Sequence, residues 1–383
     1  MTKSHLTTRL AAFVLAMVCL PLLAVSTAEA QYQGLFDVEA RRAQLQGEQF
    51  AVIREACLSW DIDPKWLEAP VVDGLRTTSG YGSDNGAQDF SWALMILASR
   101  SLAGDSEAQS MLVALLRKWA QGGAFDDTEE VHDAYYALKR SLLPTLVAFG
   151  VVREQMEDTD RALVHAWLDR NVRRIDRLFY GEVDINNHRY LADSVLALWG
   201  GMIGDEALSE KGVDRFRSIL EDARWDGSLP LETRRGSRAS WYMRQSLASL
   251  VVIAEVGRGQ NKDLYALKST AASIEDGSTQ GFWTIMSFWL NAMLSEPLRN
   301  AYAAANYIPG PEPDYRKQDY SYWDMRGHDR HYLAFLEVVP TIGSPGLTGR
   351  RAKAFLKREV VEERPLIDEF IGGNATCFWG QPK

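Results

Sequence analysis

Apolar residues recur at helical spacing along most of this 383-residue chain, in stretches of helix length separated by short segments rich in Gly, Asp or Pro. The predicted helices are 84–102, 106–122, 128–149, 158–177, 186–203, 206–223, 237–256, 262–274, 281–298, 320–339 and 347–358. Short connections of this kind favour antiparallel helix pairs, and no strict repeat indicates an open solenoid. We therefore predict an all-α fold in which helix pairs close into a toroid.

The first thirty residues have the composition of an export signal. Lys3 and Arg9 precede an apolar run over 10–25, and Ala28-Glu29-Ala30 has the small-x-small pattern of a cleavage site. We predict a signal peptide at 1–30, one domain at 31–383, and a periplasmic protein. No cysteine follows the cleavage site, and no later run is apolar for about 18 residues, so we expect no membrane anchor in the mature form.

Acidic residues exceed basic ones, giving a net charge of −9. Such a surface argues against nucleic acid as a partner. An anionic ligand would need locally concentrated positive charge, and "LETRRGSRASWYMR" at 231–244 supplies it with Arg234, Arg235, Arg238 and Arg244. A solvated arginine-rich loop is the alternative interpretation of that cluster.

Cysteine and histidine offer little for metal binding. Cys19 lies in the signal peptide, and Cys57 and Cys377 are compatible with one disulfide or with two buried thiols. His328 and His331 stand three residues apart, but no third ligand is apparent nearby, so a polar helix face is preferred over a metal site. We predict no metal, no cofactor and a monomer.

The stretch "DINNHRYLADSVLALWGG" at 184–201 opens an apolar helix with Asn187 and His188. A helix start presents unpaired N–H groups and positive potential, which favour an anion. Breaking a 4-linked uronate by β-elimination requires neutralising its carboxylate, removing the C5 proton and protonating the departing oxygen. Asparagine and arginine suit the first task, and histidine and tyrosine suit the other two.

Several longer motifs resemble the alginate lyases of polysaccharide lyase family 5. "NNHRY" is followed by "DGSLPLETRRGSRASWYMRQSLASLVVIAE", and "SGYGSD" and "RPLIDEFIGGNATCFWG" are similar to the family's lid and closing segments. The resemblance spans roughly 77–380. It implies an incomplete (α/α) toroid and an anionic polysaccharide such as poly-mannuronate as substrate.

The resemblance implies catalytic roles for Asn187, which would neutralise the carboxylate, His188 and Arg238. The family's tyrosine, lid lysine and closing arginine fall at Gln245, Gly80 and near Phe370, so three functional positions differ. We predict that Tyr242, one turn before position 245, supplies the proton. The predicted substrate-binding residues are Tyr81, Arg189, Tyr190, Arg235 and Gln245.

Two other functions remain open at this point. The substituted positions suit a catalytically silent relative that binds an anionic exopolysaccharide during its secretion. A toroidal glycoside hydrolase would instead use two carboxylates, such as Asp84 and Glu232. The sequence leaves the polymer and the cleavage pattern undetermined.

Overall fold

Helices form nearly all of the regular structure in the computed structural model, which describes residues 33–76, 85–177, 181–305, 318, 331–343 and 346–382. The helices are α1 (Val38–Gln46), α2 (Ala51–Leu58), α3 (Asn85–Leu102), α4 (Ser106–Gln121), α5 (His132–Val152), α6 (Asp158–Arg174), α7 (Asn187–Ile203), α8 (Glu206–Asp222), α9 (Pro230–Thr233), α10 (Ala239–Gly259), α11 (Phe282–Leu294), α12 (Glu296–Ala305), α13 (Gly346–Phe355) and α14 (Ala375–Trp379). Two short strands, β1 (Ile367–Asp368) and β2 (Gly373–Asn374), pair antiparallel. The predicted all-α class is confirmed.

Helices α3, α5, α7 and α10 pack against one another in succession and form an inner layer. Helices α4, α6 and α8 lie outside them, and α4 turns one apolar stripe inward, including Leu112, Leu115 and Trp119. Helices α7 and α10 are buried almost all round. The interior of the protein is therefore built around α7 and α10.

Glycine permits the close contact between α7 and α8. A Cβ atom on Gly200 would lie 2.4 Å from the backbone nitrogen of Ser209, and one on Gly212 would lie 2.5 Å from Cβ of Ala197. Any larger residue would force the helices apart. Gly204 then ends α7 with a φ of 74°, a left-handed conformation that glycine adopts without strain.

The C-terminal segment packs back into the helical layers. Residues Glu369–Ile371 contact α5 and α10, and β2 contacts α3. A disulfide joins Cys57 on α2 to Cys377 on α14. Buried Arg41 strengthens this junction by donating to the carbonyl oxygens of Cys377 at 2.7 Å and Gly380 at 2.8 Å. The two ends of the described chain are thus fastened together.

Most predicted helices agree with the structure to within a few residues, but two are wrong. The predicted helix 262–274 is a single 3-10 turn, Leu264–Ala266, followed by an irregular segment in which Ser269 N donates to the carbonyl oxygen of Gln280. Ser, Thr, Asp and Gly dominate this segment, and their side chains compete for backbone hydrogen bonds. The predicted helix 281–298 breaks at Ser295, and α12 begins at Glu296 with Pro297 in its first turn, because proline is tolerated at a helix start but not in a helix interior.

Two further differences concern the ends of the domain. Helices α1 and α2 were not predicted, because both are short and α1 is weakly apolar. Most of the predicted helix 320–339 lies outside the described residues, and its described end, Ala334–Thr341, is a 3-10 helix containing Pro340. Within the described part of the chain, no helix combines the length and apolarity that crossing a membrane requires.

The disulfide generates the first prediction. It closes a loop with a sequence separation of 320 residues, and such a link restricts the unfolded chain strongly. We expect the double variant Cys57→Ala/Cys377→Ala to lose about 3–5 kcal/mol in the free energy of unfolding, measured by urea titration. Wild-type protein treated with a thiol reductant should lose the same amount. Identical unfolding midpoints with and without reductant would contradict this.

Candidate active site

A pocket of about 190 Å³ opens where α5, α7, α10 and the C-terminal segment meet. Its lining residues are mostly aromatic or basic: Tyr136, Arg140, His188, Arg238, Trp241, Tyr242, Tyr332 and Phe370. His188, Arg238 and Tyr242 lie together in this pocket, as predicted from their motifs. None of the lining residues named above carries a carboxylate.

His188 lies in the first turn of α7. The Asn186 side chain caps this turn by accepting from His188 N at 2.9 Å. The imidazole is 3% exposed and packs against the rings of Tyr136 and His132, with centroid distances of 4.4 and 4.6 Å. The helix start is therefore buried and forms part of the pocket floor.

Burial lowers the pKa of His188 well below its usual value, and the cationic side chains around it lower it further. The imidazole is consequently neutral near pH 7. A neutral imidazole can accept a proton, which is the property that a general base needs.

Asn187 is fully buried and does not line the pocket itself. Its backbone N–H donates to Oε1 of Glu232 at 2.8 Å. Neither its amide nitrogen nor its amide oxygen has a hydrogen-bond partner among the described residues. Each unsatisfied polar group of such a buried amide lowers the folding stability by roughly 1–3 kcal/mol. The amide of Asn187 can therefore still form hydrogen bonds beside His188.

Tyr242 lies on α10 and lines the pocket with 7% of its surface exposed. The guanidinium of Arg235 stacks 3.9 Å from the centre of its ring. Arg238, one turn further along, is exposed and also lines the pocket. The arginine-rich turn thus delivers positive charge to the Tyr242 side of the site.

Helix α5 contributes side chains to the site that were not predicted from the sequence. His132, Tyr136 and Arg140 are spaced four residues apart and therefore share one face of that helix, which is turned toward His188 and the pocket. Lys139, beside them, donates from Nζ to the carbonyl oxygen of His188 at 3.1 Å. The spacing within "HDAYYALKR" is visible in the sequence, but the apolar periodicity of α5 conceals it.

Two predicted substrate contacts, Arg189 and Tyr190, do not line the pocket. Arg189 lies in a network of ion pairs with Asp176 and Asp193, at 2.6 and 2.7 Å, which occupies its guanidinium. Tyr190 is 2% exposed and turned into the core. Both predictions fail because α7 is buried all round, so the residues next to His188 face other helices.

Gln245 also requires correction. It is fully buried and accepts a hydrogen bond from the Tyr136 hydroxyl at 3.2 Å, behind the pocket. Gln245 thus supports Tyr136 and does not line the pocket, whereas Tyr242 does. Tyr81 and Gly80 lie outside the described residues, so the predicted contact through Tyr81 stays a prediction.

The position near Phe370, where the resemblance predicts an arginine, is part of the pocket lining. Arg140 from α5 lies 5.3 Å from the centre of the Phe370 ring. A guanidinium is therefore present at this end of the pocket, although it comes from a different part of the chain.

Glu232 was a candidate for a glycoside hydrolase, and His328 and His331 were candidates for a metal site. Glu232 is fully buried against the start of α7, and Asp84, its proposed partner in hydrolysis, lies outside the described residues. His331 accepts a hydrogen bond from Leu333 N at 3.3 Å, and His328 also lies outside the described residues. No group of three metal-ligating side chains occurs among the described residues.

Comparison with known proteins identifies the family to which this chain belongs. The family model for alginate lyase matches residues 83–278, and the chain belongs to the alginate lyase family. A polysaccharide lyase of Stenotrophomonas maltophilia (strain K279a) is 30% identical over 191 residues, which cover 47% of this chain and 57% of that protein. The match thus spans little more than half the length of this relative.

Solved structures show the fold. Alginate lyase A1-III from Sphingomonas species A1 superposes with a TM-score of 0.71 at 21% identity, covering 92% of this chain and 98% of that one. A variant of A1-III complexed with a tetrasaccharide gives 0.72. An alginate lyase from Bacteroides ovatus gives 0.57 at 11% identity, over 91% of this chain and 99% of that one. The predicted (α/α) toroid is confirmed.

Glu232 generates the second prediction. Burial raises its pKa from 4.5 to about 7. The folded protein therefore holds this proton more tightly than the unfolded chain does, and the stability from this group falls as the pH rises from 4.5 to 7. Glu232→Gln keeps an acceptor for Asn187 N and removes the titration. Relative to wild type, the variant should gain about 3 kcal/mol in unfolding free energy across that interval.

Urea titrations of both proteins at pH 4.5 and 7.5 measure this difference. The control is Glu206→Gln, an exposed glutamate at the start of α8, which should track wild type at both pH values. A constant offset between Glu232→Gln and wild type would contradict the prediction.

Proposed function

We propose that this protein is an exported polysaccharide lyase that cleaves a uronate-containing polysaccharide by β-elimination. The observation that carries the proposal is the pocket in which a buried neutral histidine, His188, lies with Tyr242 and Arg238. Family membership supports the reaction class. The polymer is alginate or a related uronate polysaccharide.

Each of these side chains has a separate role in the reaction. Arg238, which lines the pocket, and Arg235, which stacks on Tyr242, attract and neutralise the uronate carboxylate as C5 becomes more acidic, whereas Asn187 lies behind the pocket lining. His188 removes the C5 proton. The C4–O bond breaks as the C4=C5 double bond forms, and the Tyr242 hydroxyl protonates the departing oxygen.

The A1-III structures support these two roles. In the two tetrasaccharide complexes, a histidine is replaced by alanine in one and a tyrosine by phenylalanine in the other. That tyrosine follows that histidine at the same separation along the chain as Tyr242 follows His188. We take His188 and Tyr242 as the corresponding pair, which moves the family's tyrosine from Gln245, where the sequence motif placed it, to Tyr242.

Export and a periplasmic location are part of the proposal. The composition of residues 1–30 supports them. The Cys57–Cys377 disulfide adds support, because such bonds persist in oxidising compartments.

His188 generates the third prediction. Elimination leaves a conjugated unsaturated uronate that absorbs ultraviolet light, whereas hydrolysis yields only new reducing ends. We expect wild type to generate this chromophore from at least one uronate polymer, and His188→Ala to lose at least about 1,000-fold in kcat. The matched control is His165→Ala, an exposed histidine on α6, which should retain full activity.

Three outcomes would overturn this assignment. Full activity in His188→Ala would show that His188 is not the base. Reducing ends without the chromophore would indicate hydrolysis. Retention of an intact polymer by wild type, without cleavage, would favour the silent binding protein.

Tyr242 generates the fourth prediction. Tyr242→Phe keeps the ring against Arg235 and removes only the hydroxyl, so the melting temperature should hardly change. We expect kcat to fall by roughly 100- to 10,000-fold, the usual contribution of a general acid. Tyr136→Phe is the matched comparison, because Tyr136 lines the same pocket and its hydroxyl donates to Gln245. A larger loss in Tyr136→Phe than in Tyr242→Phe would transfer the acid role to Tyr136.

A further inference from the structure

His132 begins α5 and lies directly against the histidine that serves as the base in the proposed reaction. The centres of the His132 and His188 rings are 4.6 Å apart, and the ring planes are inclined by 40°. At this separation a positive charge on either imidazole disfavours a positive charge on the other. The proposed function uses His188 and gives no role to His132.

The carboxylate of Asp133 fixes the hydrogen-bonding state of His132. Nδ1 of His132 lies 3.2 Å from Oδ1 of Asp133. Because an ionised carboxylate only accepts, the neutral ring has its hydrogen on Nδ1 and its lone pair on Nε2. Nε2 is buried and has no hydrogen-bond partner among the described residues. His132 therefore has one nitrogen held by a carboxylate and a second nitrogen that can take a proton.

The surroundings favour a proton on His132 over a proton on His188. The side chain of His132 is 21% exposed and has the Asp133 carboxylate beside it, whereas His188 is 3% exposed. Lys139 on α5 and Arg235 before α10 both disfavour a proton on His188. Lys139 also acts on His132, but there Asp133 opposes it. Tyr136, the remaining titratable contact of the pair, packs on the His188 ring at 4.4 Å.

The pKa directions agree with these contacts. Burial lowers the pKa of His132, and the hydrogen bond to Asp133 works against that effect. Burial lowers the pKa of His188 well below its usual value, and Lys139 and a charge on His132 lower it further.

A proton on His132 would act on the reaction step at C5. His188 becomes a cation when it removes the C5 proton, so a second cation in contact with its ring destabilises the transition state. Activity would then fall in acid before His188 itself is protonated.

We infer that His132 is a positioning residue that acts through His188. It takes the first proton from solvent as the pH falls, Asp133 stabilises that proton, and the resulting charge prevents His188 from serving as the base. This inference rests on the proposed function for the role of His188, and it adds the group that sets the acid limit of activity.

Proton NMR of the imidazole C–H groups tests the order of protonation in the wild-type protein without requiring turnover. His132→Phe and His188→Ala assign the two signals. We expect the His132 signal to titrate at a higher pH than the His188 signal. Asp133→Asn keeps an oxygen acceptor and removes the charge, so the midpoint of His132 should move to lower pH. Titration of His188 at an equal or higher pH, or an unchanged His132 midpoint in Asp133→Asn, overturns the inference.

The pH dependence of kcat/KM tests the consequence for activity, with each profile normalised to its own plateau. His132→Phe keeps a ring against His188 and removes the titrating nitrogens. If both histidines must be neutral, the midpoint of the acid limb should fall by at least about 0.3 pH unit, the value for two equal sites. A smaller shift, or a shift to higher pH, overturns the inference.

A control separates this effect from a structural one. Loss of packing at His132 would lower the plateau or the melting temperature but would leave the midpoint of the acid limb in place. His165→Phe, at an exposed histidine on α6, should also retain the wild-type midpoint.

The two proposals fail in different ways. A wild type that produces no chromophore from any polymer refutes the lyase proposal, whereas the NMR titration still decides which histidine takes the first proton. An active lyase whose acid limb does not respond to His132→Phe overturns the role of His132 and leaves the lyase proposal intact.

Discussion

The protein depends on burying a polar helix start inside a helical toroid. Asn187 and His188 begin α7, and this end of the helix lies between α5 and α10. Without hydrogen-bond partners, the unpaired backbone N–H groups of this buried helix start would destabilise the fold. The Asn186 side chain and the Glu232 carboxylate accept from them. Removal of these two acceptors would leave buried N–H groups at the pocket floor without partners. The hydrogen bonds that stabilise the start of α7 are therefore the same ones that hold His188 in the pocket.

The helical framework could be predicted from the sequence because apolar periodicity is a local property. Its failures are also local: 262–274 is rich in residues whose side chains compete with the backbone, and Pro297 divides 281–298. The junction between Cys57 and Cys377 could not be decided, since pairing across the whole chain depends on how the inner helices bring α2 and α14 together.

The site was predictable in part. His188 and Tyr242 belong to motifs that are long enough to resemble a family. Arg140 and Phe370 come from helix and segment positions far apart in sequence, and only the packing of the C-terminal segment on α5 and α10 unites them. Arg189 was predicted to bind substrate because a charged side chain is usually exposed, whereas a helix buried all round can hold arginine in ion pairs.

The pocket is completed by a segment far along the chain from His188. Phe370 forms part of its wall, and Glu369 neutralises an arginine that lines it. The disulfide between Cys57 and Cys377 holds α14, which follows this segment directly, against α2. The covalent link that fastens the described ends therefore also restrains one wall of the cleft, so the oxidation state of two buried sulfur atoms helps to set the shape of a pocket that neither of them lines.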